Sequence, residues 1–236
     1  MSDLELSDAE AAGWFRRNES AGPGTRTMRL ATRDKRPRLH MLLGDSVARR
    51  ADLASRFPGD EVLNRANGGE TWSSVLAHLN SDIAAWQTAA TARGLLTGNV
   101  IIWMSGNDVY NRLTYLASFT KERLETIGRT ARAVVQRLED LADHITVLGP
   151  LPRLAGEVAE ATWESTAAYH CERTLMRMEA SAKFVPLGRC LTRKISKNRH
   201  GLKGCAKWYM PDGIHLSPEG YEKVGDALPV WMTFRK

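Results

Sequence analysis

The sequence predicts an α/β fold, with a parallel β-sheet that is covered by helices on both faces. Short apolar runs bounded by turn residues alternate along the chain with longer segments of helical periodicity. Parallel strands need such crossover helices, and their sheets are buried on both sides. Polar motifs also follow the ends of three predicted strands, and open α/β sheets bind their ligands at that edge.

The strands are predicted from apolar runs that are too short for helices. The clearest is Val-Ile-Ile-Trp at residues 100–103, which lies between Gly98 and Ser105-Gly106. The first run ends at Gly44-Asp45, which is a turn signal. The five predicted strands cover residues 39–43, 61–63, 99–104, 145–148 and 184–185.

The helices are predicted from apolar residues that recur every three or four positions. In residues 119–143 this spacing places one apolar face toward the sheet. The last helix begins with Ser217, a natural N-cap, and Pro218, which fits the first helical position. The other predicted helices cover residues 47–56, 72–93, 119–143 and 166–181.

The composition is that of an ordinary soluble domain. The chain has 236 residues, of which 43% are hydrophobic, so it can bury a sizeable core. Residues 1–37 are predicted to be a polar, basic extension, and residues 38–236 the domain. The sequence has no apolar run of the ~20 residues that cross a bilayer, and acidic residues near Met1 do not fit a secretory signal. We therefore predict an intracellular protein, or a domain excised from a longer one.

The net charge of +6 is concentrated in two basic segments. One precedes the first strand, and the other is an insertion at about residues 187–208 that contains no acid. Each is either a solvated surface or an anion-binding surface for a nucleic acid, an anionic membrane or an acidic substrate, and the insertion could also be a lid. The first segment contains Arg26, Arg29, Arg33, Lys35, Arg36 and Arg38. The candidate anion-binding residues of the insertion are Arg193, Lys194, Lys197 and Arg199.

Three cysteines, Cys171, Cys190 and Cys205, are too few for the disulfide framework of a secreted domain. Free thiols are expected, although a bridge between Cys190 and Cys205 is an alternative. Together with His170 and His200 the cysteines are zinc-type ligands, but they lack tight Cys-x-x-Cys pairs. We therefore predict no metal site.

Three residues with the chemistry of a serine hydrolase lie in separate parts of the chain. Ser46 follows the first predicted strand, and Asp212 precedes His215 by three residues near the C-terminus. A serine hydroxyl needs a base to take its proton and an acid residue to orient that base. Asp212 can accept a hydrogen bond from Nδ1 of His215 and leave Nε2 for Ser46. Taken alone, Ser46 is better explained as a helix cap, and His215 as an exposed loop residue.

Two further segments offer hydrogen-bond donors at the same predicted edge. Gly69 lets the backbone approach a ligand closely, and Asn107 carries side-chain N–H groups. With the N–H groups at the start of the helix after Ser46, they can stabilise an oxyanion. A turn glycine and an Asx turn are the simpler explanations of each segment alone. Asp108 is expected to cap the next segment.

Taken together, these segments resemble the SGNH hydrolases, also called GDSL esterases. The four residues for which that family is named occur in its order, as Ser46, Gly69, Asn107 and His215. The resemblance extends from about residue 39 to the C-terminus. Val47 stands where leucine is common in the family, and the insertion at 187–208 has no counterpart in its pattern.

The resemblance implies a flavodoxin-like, three-layer α/β/α sandwich of about five strands in the order 2-1-3-4-5. It implies hydrolysis of a carboxylic ester through an acyl-enzyme on Ser46, with His215 as base, Asp212 as its orienting group and no cofactor. Ser46, Gly69 and Asn107 would form the oxyanion hole. Acetyl or short acyl esters are the favoured substrates and lipid esters the alternative. The sequence indicates no oligomeric state.

A second hypothesis is a binding domain built on the same scaffold. Its basic segments would then contact a nucleic acid or an anionic membrane. The chain could then also be part of a larger protein, such as those of retroelements in which similar domains occur. Both hypotheses can hold together, because the basic segments and the serine motif are separate in sequence.

Overall fold

A five-stranded sheet forms the centre of the structure, a computed structural model that describes residues 36–110, 120–154, 161–178 and 181–228. The strands run parallel in the order β2-β1-β3-β4-β5, so the predicted topology is confirmed. The predicted N-terminal extension lies almost entirely outside the described residues. The strands are β1 (Arg38–Gly44), β2 (Glu61–Asn64), β3 (Leu96–Trp103), β4 (Ile145–Leu148) and β5 (Lys183–Val185).

Helices pack on both faces of this sheet. One face is covered by α2, α3 and α4, and the other by α1 and α5. Within the described ranges, none of the helices combines the length and apolar character that spanning a bilayer requires. The helices are α1 (Ser46–Arg50), α2 (Trp72–Ala92), α3 (Lys121–Leu138), α4 (Ala167–Met176) and α5 (Pro218–Ala227).

The central strand β3 shows why the fold has three layers. Successive side chains of a strand point to opposite faces, and those of β3 are apolar on both. Val100 and Ile102 belong to the core under α2 and α3, whereas Ile101 and Trp103 belong to the core under α1 and α5. A strand that is buried on both faces reads as a continuous apolar run, and this is the pattern from which it was predicted.

Side-chain caps fix where two of the helices begin. The hydroxyl of Thr71 accepts a hydrogen bond from the N–H of Ser74 at 3.2 Å, and the N–H of Thr71 donates to Ser74 Oγ at 2.8 Å, so α2 starts with a capping box. At α5, Ser217 Oγ accepts from the N–H of Gly220 at 3.1 Å and Pro218 takes the first helical position. The predicted cap at Ser217 is confirmed.

The first helix is shorter than the predicted segment 47–56. It ends at Arg50, because Ala51 adopts extended backbone angles, and a separate 3₁₀ turn covers Ala54–Arg56. The turn at Ala51 lets Leu53 and Phe57 enter the core. The apolar spacing of this stretch therefore reflects burial in two short pieces rather than one continuous helix.

Candidate active site

Gly44 and Asp45, the two residues before Ser46, determine its position at the end of β1. A side chain at Gly44 would place its Cβ 2.3 Å from the carbonyl oxygen of Trp103, so only glycine allows β1 and β3 to approach this closely. Asp45 is fully buried and caps α1, because its Oδ1 accepts a hydrogen bond from the N–H of Val47 at 2.9 Å. Ser46 consequently begins α1 at the carboxyl edge of the sheet.

The buried carboxylate of Asp45 also joins the loop after β1 to the loop after β3. Its Oδ2 accepts hydrogen bonds from the N–H of Ser105, at 2.8 Å, and from the Ser105 hydroxyl. Burial raises the pKa of Asp45, while the hydrogen bonds from Ser105 and Val47 and the nearby charge of Arg153 act in the opposite direction. The Asp of the Gly-Asp-Ser motif is therefore a structural link between two loops.

A chain of hydrogen bonds joins the three residues Ser46, His215 and Asp212. Nε2 of His215 lies 2.9 Å from Oγ of Ser46, and its Nδ1 lies 2.6 Å from Oδ2 of Asp212. The serine and the histidine are 169 residues apart in the sequence. The first distance is normal for a hydrogen bond and the second is short, as bonds to a carboxylate tend to be, so the structure brings the hydroxyl, the imidazole and the carboxylate together in the expected order.

Asp212 is held in place by the turn that follows it. Its Oδ1 accepts hydrogen bonds from the N–H groups of Ile214 and His215, each at 2.9 Å. Partial burial raises the pKa of Asp212, but the hydrogen bonds from His215 and Ile214 outweigh it and lower the pKa to about 2. Asp212 is therefore an ionised acceptor that favours the Nδ1–H form of His215.

Gly69 and Asn107 lie in the loops after β2 and β3. Gly69 has a φ of +80°, a conformation that favours glycine. Nδ2 of Asn107 donates to the carbonyl oxygen of Glu70 at 3.0 Å, which joins the two loops beside Ser46. The same nitrogen is 3.5 Å from Oδ2 of Asp45, too far for a normal N–H···O hydrogen bond.

Asp108 caps the start of α2, and the segment after it that it was predicted to cap lies outside the described residues. Its carboxylate accepts a hydrogen bond from the N–H of Trp72, the first residue of the preceding helix α2, with distances of 3.1 and 3.3 Å to the two oxygens. Burial raises the pKa of Asp108 to about 6, against the hydrogen bond from Trp72. This contact is possible because the carboxyl end of β3 faces the start of α2 across the sheet edge.

Arg153, in the loop after β4, is a residue of this site that sequence reasoning missed. Its guanidinium donates a hydrogen bond to Oδ1 of Asn107 at 2.7 Å and stacks 4.9 Å from the centre of the Tyr110 ring. Arginine in a loop usually indicates a surface position, but Arg153 is only 8% exposed. Its place after a predicted strand was the one available signal.

The candidate anion-binding residues do not join this hydrogen-bonded cluster. They lie in an antiparallel hairpin of β6 (Arg193–Ser196) and β7 (Arg199–Gly201), in which Arg193, Lys194, Lys197 and Arg199 are all exposed. The hairpin is attached to the domain through His200, whose Nδ1 lies 2.7 Å from Oε1 of Glu164. In the first basic segment, Arg38 is buried and ion-paired with Asp143, so it is not a free anion-binding group.

The three cysteines are free thiols. Burial raises the pKa of Cys171 and Cys205, and raises that of Cys190 to about 12. Across the part of the chain that the structure describes, no group of three or more His, Cys, Asp and Glu side chains is arranged to hold a metal ion.

Comparison with known protein families identifies the chain. The family model described as GDSL-like Lipase/Acylhydrolase matches residues 25–228, which is most of the sequence. The chain belongs to this family. Family membership supports a hydrolase of the esterase type and agrees with the SGNH pattern of Ser46, Gly69, Asn107 and His215. A search of curated proteins found no match.

Solved structures of similar fold include proteins named as an esterase and as a lipase/acylhydrolase. The acetylxylan esterase Axe2 from Geobacillus stearothermophilus superposes with a TM-score of 0.59 at 19% identity, over 84% of this chain and 94% of the other. A lipase/acylhydrolase from Enterococcus faecalis gives a TM-score of 0.55 at 16% identity, over 80% and 92% of the two chains. At these identities the likeness establishes the α/β fold alone.

Proposed function

We propose that this protein is a serine esterase that hydrolyses carboxylic esters through an acyl-enzyme on Ser46. The observation that carries the proposal is the continuous hydrogen-bonded chain from Ser46 through His215 to Asp212. A hydroxyl hydrogen-bonded to an imidazole, which is in turn oriented by an ionised carboxylate, is the arrangement that activates serine at neutral pH.

In the first step, Ser46 Oγ attacks the carbonyl carbon of the ester while its proton moves to Nε2 of His215. The positive charge that develops on the imidazole is stabilised by Asp212, whose pKa is lowered to about 2 and which therefore keeps its own negative charge. Collapse of the tetrahedral intermediate breaks the bond to the alcohol oxygen, and His215 gives the proton to that oxygen. Water then attacks the acyl-enzyme, with His215 again as the base, and releases the acid.

The negative charge of the tetrahedral oxygen would be stabilised by three donors. These are the N–H of Ser46, the N–H of Gly69 and the side-chain amide of Asn107. The amide nitrogen of Asn107 has two hydrogens, and its hydrogen bond to Glu70 uses one of them. The nearest other acceptor, Asp45 Oδ2, is 3.5 Å from the nitrogen, too far for a normal hydrogen bond, so the second hydrogen would be available to the substrate. Such preorganised donors contribute strongly to acyl transfer.

For the substrate we propose acetyl or short acyl esters, with lipid esters as the alternative. The description of the family names both lipases and acylhydrolases, and a protein of similar fold is an acetylxylan esterase. A panel of p-nitrophenyl esters from acetate to palmitate tests this choice. The highest kcat/KM on the acetate ester would support short acyl esters as substrates, and the highest on the palmitate ester would support lipid esters.

The test of the reaction itself is the variant Ser46→Ala. We expect it to remove hydrolysis of p-nitrophenyl acetate while the circular dichroism spectrum stays unchanged. Ser73→Ala, which changes an exposed serine of α2, is the matched control and should keep full activity. Ser46→Ala with wild-type turnover would rule out the acyl-enzyme on Ser46.

The β6–β7 hairpin suggests a second function, and we propose that it binds the phosphate backbone of a nucleic acid. All residues from 193 to 199 are exposed, and four of them are cationic. One large apolar side chain, Ile195, is exposed among them, at 62%, which is little apolar surface for insertion into a membrane.

Salt-dependent binding of a labelled RNA oligonucleotide tests the second function. We expect the affinity to fall steeply with salt, and to fall further when four hairpin cations are changed to glutamine at Arg193, Lys194, Lys197 and Arg199. The matched control removes four charges from α3, by changing Lys121, Arg129, Arg132 and Arg137 to glutamine. Equal losses in both variants, or binding to anionic vesicles without binding to RNA, would contradict the proposal.

A further inference from the structure

The side-chain amide of Asn107 is held by two partners of opposite chemical character. Its Oδ1 accepts a hydrogen bond from the Arg153 guanidinium at 2.7 Å, and its Nδ2 donates to the Glu70 carbonyl oxygen at 3.0 Å. A guanidinium can only donate and a carbonyl can only accept. Turning the amide by 180° would therefore place donor against donor and acceptor against acceptor. The two partners together permit a single orientation, in which the N–H groups of Asn107 face away from Arg153.

Arg153 is itself fixed in position by its surroundings. It is 8% exposed, and its guanidinium lies 4.9 Å from the centre of the buried Tyr110 ring. The loop that carries it contains Pro150 and Pro152, which restrict the backbone. The carbonyl of Pro152 also accepts a hydrogen bond from the buried hydroxyl of Tyr209 at 2.7 Å. The guanidinium is therefore a fixed donor rather than a mobile surface cation.

The same loop connects the two halves of the candidate site. The N–H of Leu151 donates to the carbonyl of Ser105 at 3.3 Å, next to the Asn107 turn. The N–H of Leu154 donates to the carbonyl of Gly213 at 2.8 Å, within the turn between Asp212 and His215. Arg153 lies between these two contacts, so its side chain has a defined place relative to both the amide and the histidine.

We propose that Arg153 is a positioning residue for the reaction, which acts by directing the amide N–H of Asn107 toward the oxyanion. This inference rests on the proposed esterase function. Arg153 would not touch the substrate. Its charge is permanent at all relevant pH values, so the orientation of the amide does not depend on pH. Its hydrogen bond to Oδ1 also polarises the amide, and this strengthens the bond that the N–H donates on the other side.

A double-mutant cycle between Arg153 and Asn107 tests the proposal. We expect Arg153→Met to lower kcat by roughly tenfold to 10²-fold with little change in KM, which is less than the ~10²–10³ expected for Asn107→Ala. Because Arg153 acts through Asn107, adding Arg153→Met to Asn107→Ala should lower kcat no further. Losses that multiply, or an increase in KM at constant kcat, would overturn the proposal. If Arg153→Met does not fold, the same cycle is run with Arg153→Lys, which keeps a charge but lacks the planar fork of arginine. We then expect a smaller loss of kcat that disappears in the Asn107→Ala background, and a loss that persists there would overturn the proposal.

Arg38 offers a matched control, since it is as buried as Arg153, at 7%, but lies at the amino end of β1. Arg38→Met removes a buried guanidinium that is ion-paired with Asp143. We expect it to lower the thermal stability and leave kcat unchanged. A kcat loss in Arg38→Met equal to that in Arg153→Met would mean that any buried arginine has this effect, and would contradict a specific role for Arg153.

A second readout does not depend on turnover, and so separates this proposal from the esterase function. In ¹⁵N–¹H spectra, the side-chain amide of Asn107 is assigned as the pair of signals lost in Asn107→Ala. We expect this pair to shift and broaden in Arg153→Met, as the amide gains a second orientation, and to stay unchanged in Arg38→Met. An unchanged pair in Arg153→Met would overturn the positioning role, even in a protein that hydrolyses esters. A Ser46→Ala variant with full activity would overturn the esterase function instead.

Discussion

Gly69 provides the sharpest test of the proposed oxyanion hole, because the chain contains a matched glycine far from it. Gly69 has a φ of +80° and Gly59 a φ of +84°, and a Cβ at either position would meet no atom within 4 Å. Gly69 follows β2 at the carboxyl edge, whereas Gly59 precedes β2 at the opposite edge. Changing each to alanine therefore introduces the same backbone strain at two different places.

The stability cost should be alike in the two variants. A left-handed conformation costs a residue with a Cβ about 1–2 kcal/mol. The smaller freedom of the unfolded alanine chain offsets about 0.4–1 kcal/mol of this. The net destabilisation is then about 1 kcal/mol, which lowers the Tm of a domain of this size by roughly 2–4 °C. Thermal melts followed by circular dichroism measure this change.

The effect on catalysis should differ between the two. In Gly69→Ala, relief of the strain rotates the peptide and moves its N–H away from the oxyanion, and loss of one such donor costs up to ~10²–10³ in kcat. In Gly59→Ala, kcat should stay at the wild-type value. Hydrolysis of p-nitrophenyl acetate measures both. If the two variants lose the same Tm and the same small amount of kcat, Gly69 supplies no donor to the transition state.

Three further predictions concern buried or ionised carboxyl groups. Asp45→Asn should lower the free energy of unfolding, measured in urea, by ~1–3 kcal/mol. One acceptor oxygen becomes an NH₂ group that faces a backbone N–H, of Val47 or of Ser105. Ser105→Ala should lower the free energy of unfolding by less. Burial raises the pKa of Glu172 to about 7, so the folded state keeps a proton that the unfolded chain releases near its ordinary value of 4.5. The stability that the Glu172 carboxyl contributes is present below pH 4.5 and is lost as the pH rises through about 7. Glu172→Gln stays neutral at every pH, so it should raise the Tm more at pH 8 than at pH 5. The pKa of Asp212 is lowered to about 2, so its carboxylate is ionised at every pH above about 4. Asp212→Asn should therefore lower kcat by up to ~10⁴, by a similar factor across that pH range. A loss of kcat confined to acid pH would contradict the role of Asp212 beside His215.

The sequence predicted those parts of the fold in which burial dictates residue type. β4 begins and ends where its apolar run does, and the ends of β3 differ from the prediction by only a few residues. The β6–β7 hairpin could not be predicted in this way, because residues 193–199 are all exposed and show no apolar alternation. Its strands depend on backbone pairing and on the contact of His200 with Glu164, and neither leaves a pattern in the sequence.

The site was predictable wherever its residues occur in short motifs. Ser46 follows a predicted strand, His215 lies in an Asp-x-x-His motif before the last helix, and the structure brings their side chains to 2.9 Å. Arg153 was not predictable, because its partner Asn107 lies 46 residues away and the contact depends on how two loops pack. The role of Asp45 was hidden for a related reason. A short motif with Asp before Ser indicates a helix cap, but the second hydrogen bond, to Ser105, appears only when β1 and β3 are side by side.

Hydrogen bonds, together with the backbone segments between them, form a closed ring through four loops at the carboxyl edge. The ring starts at Ser46 and returns to it after passing in order through Asp45, Ser105, Asn107, Arg153, Leu154, Gly213 and His215. Each loop alone is a surface segment, and exposed loops are usually the more mobile parts of a domain. When every loop is bonded to two others, none can move without breaking a contact elsewhere. The distance between the hydroxyl and the imidazole is therefore a property of the whole ring, which explains how an arginine without direct contact to Ser46 can influence its chemistry.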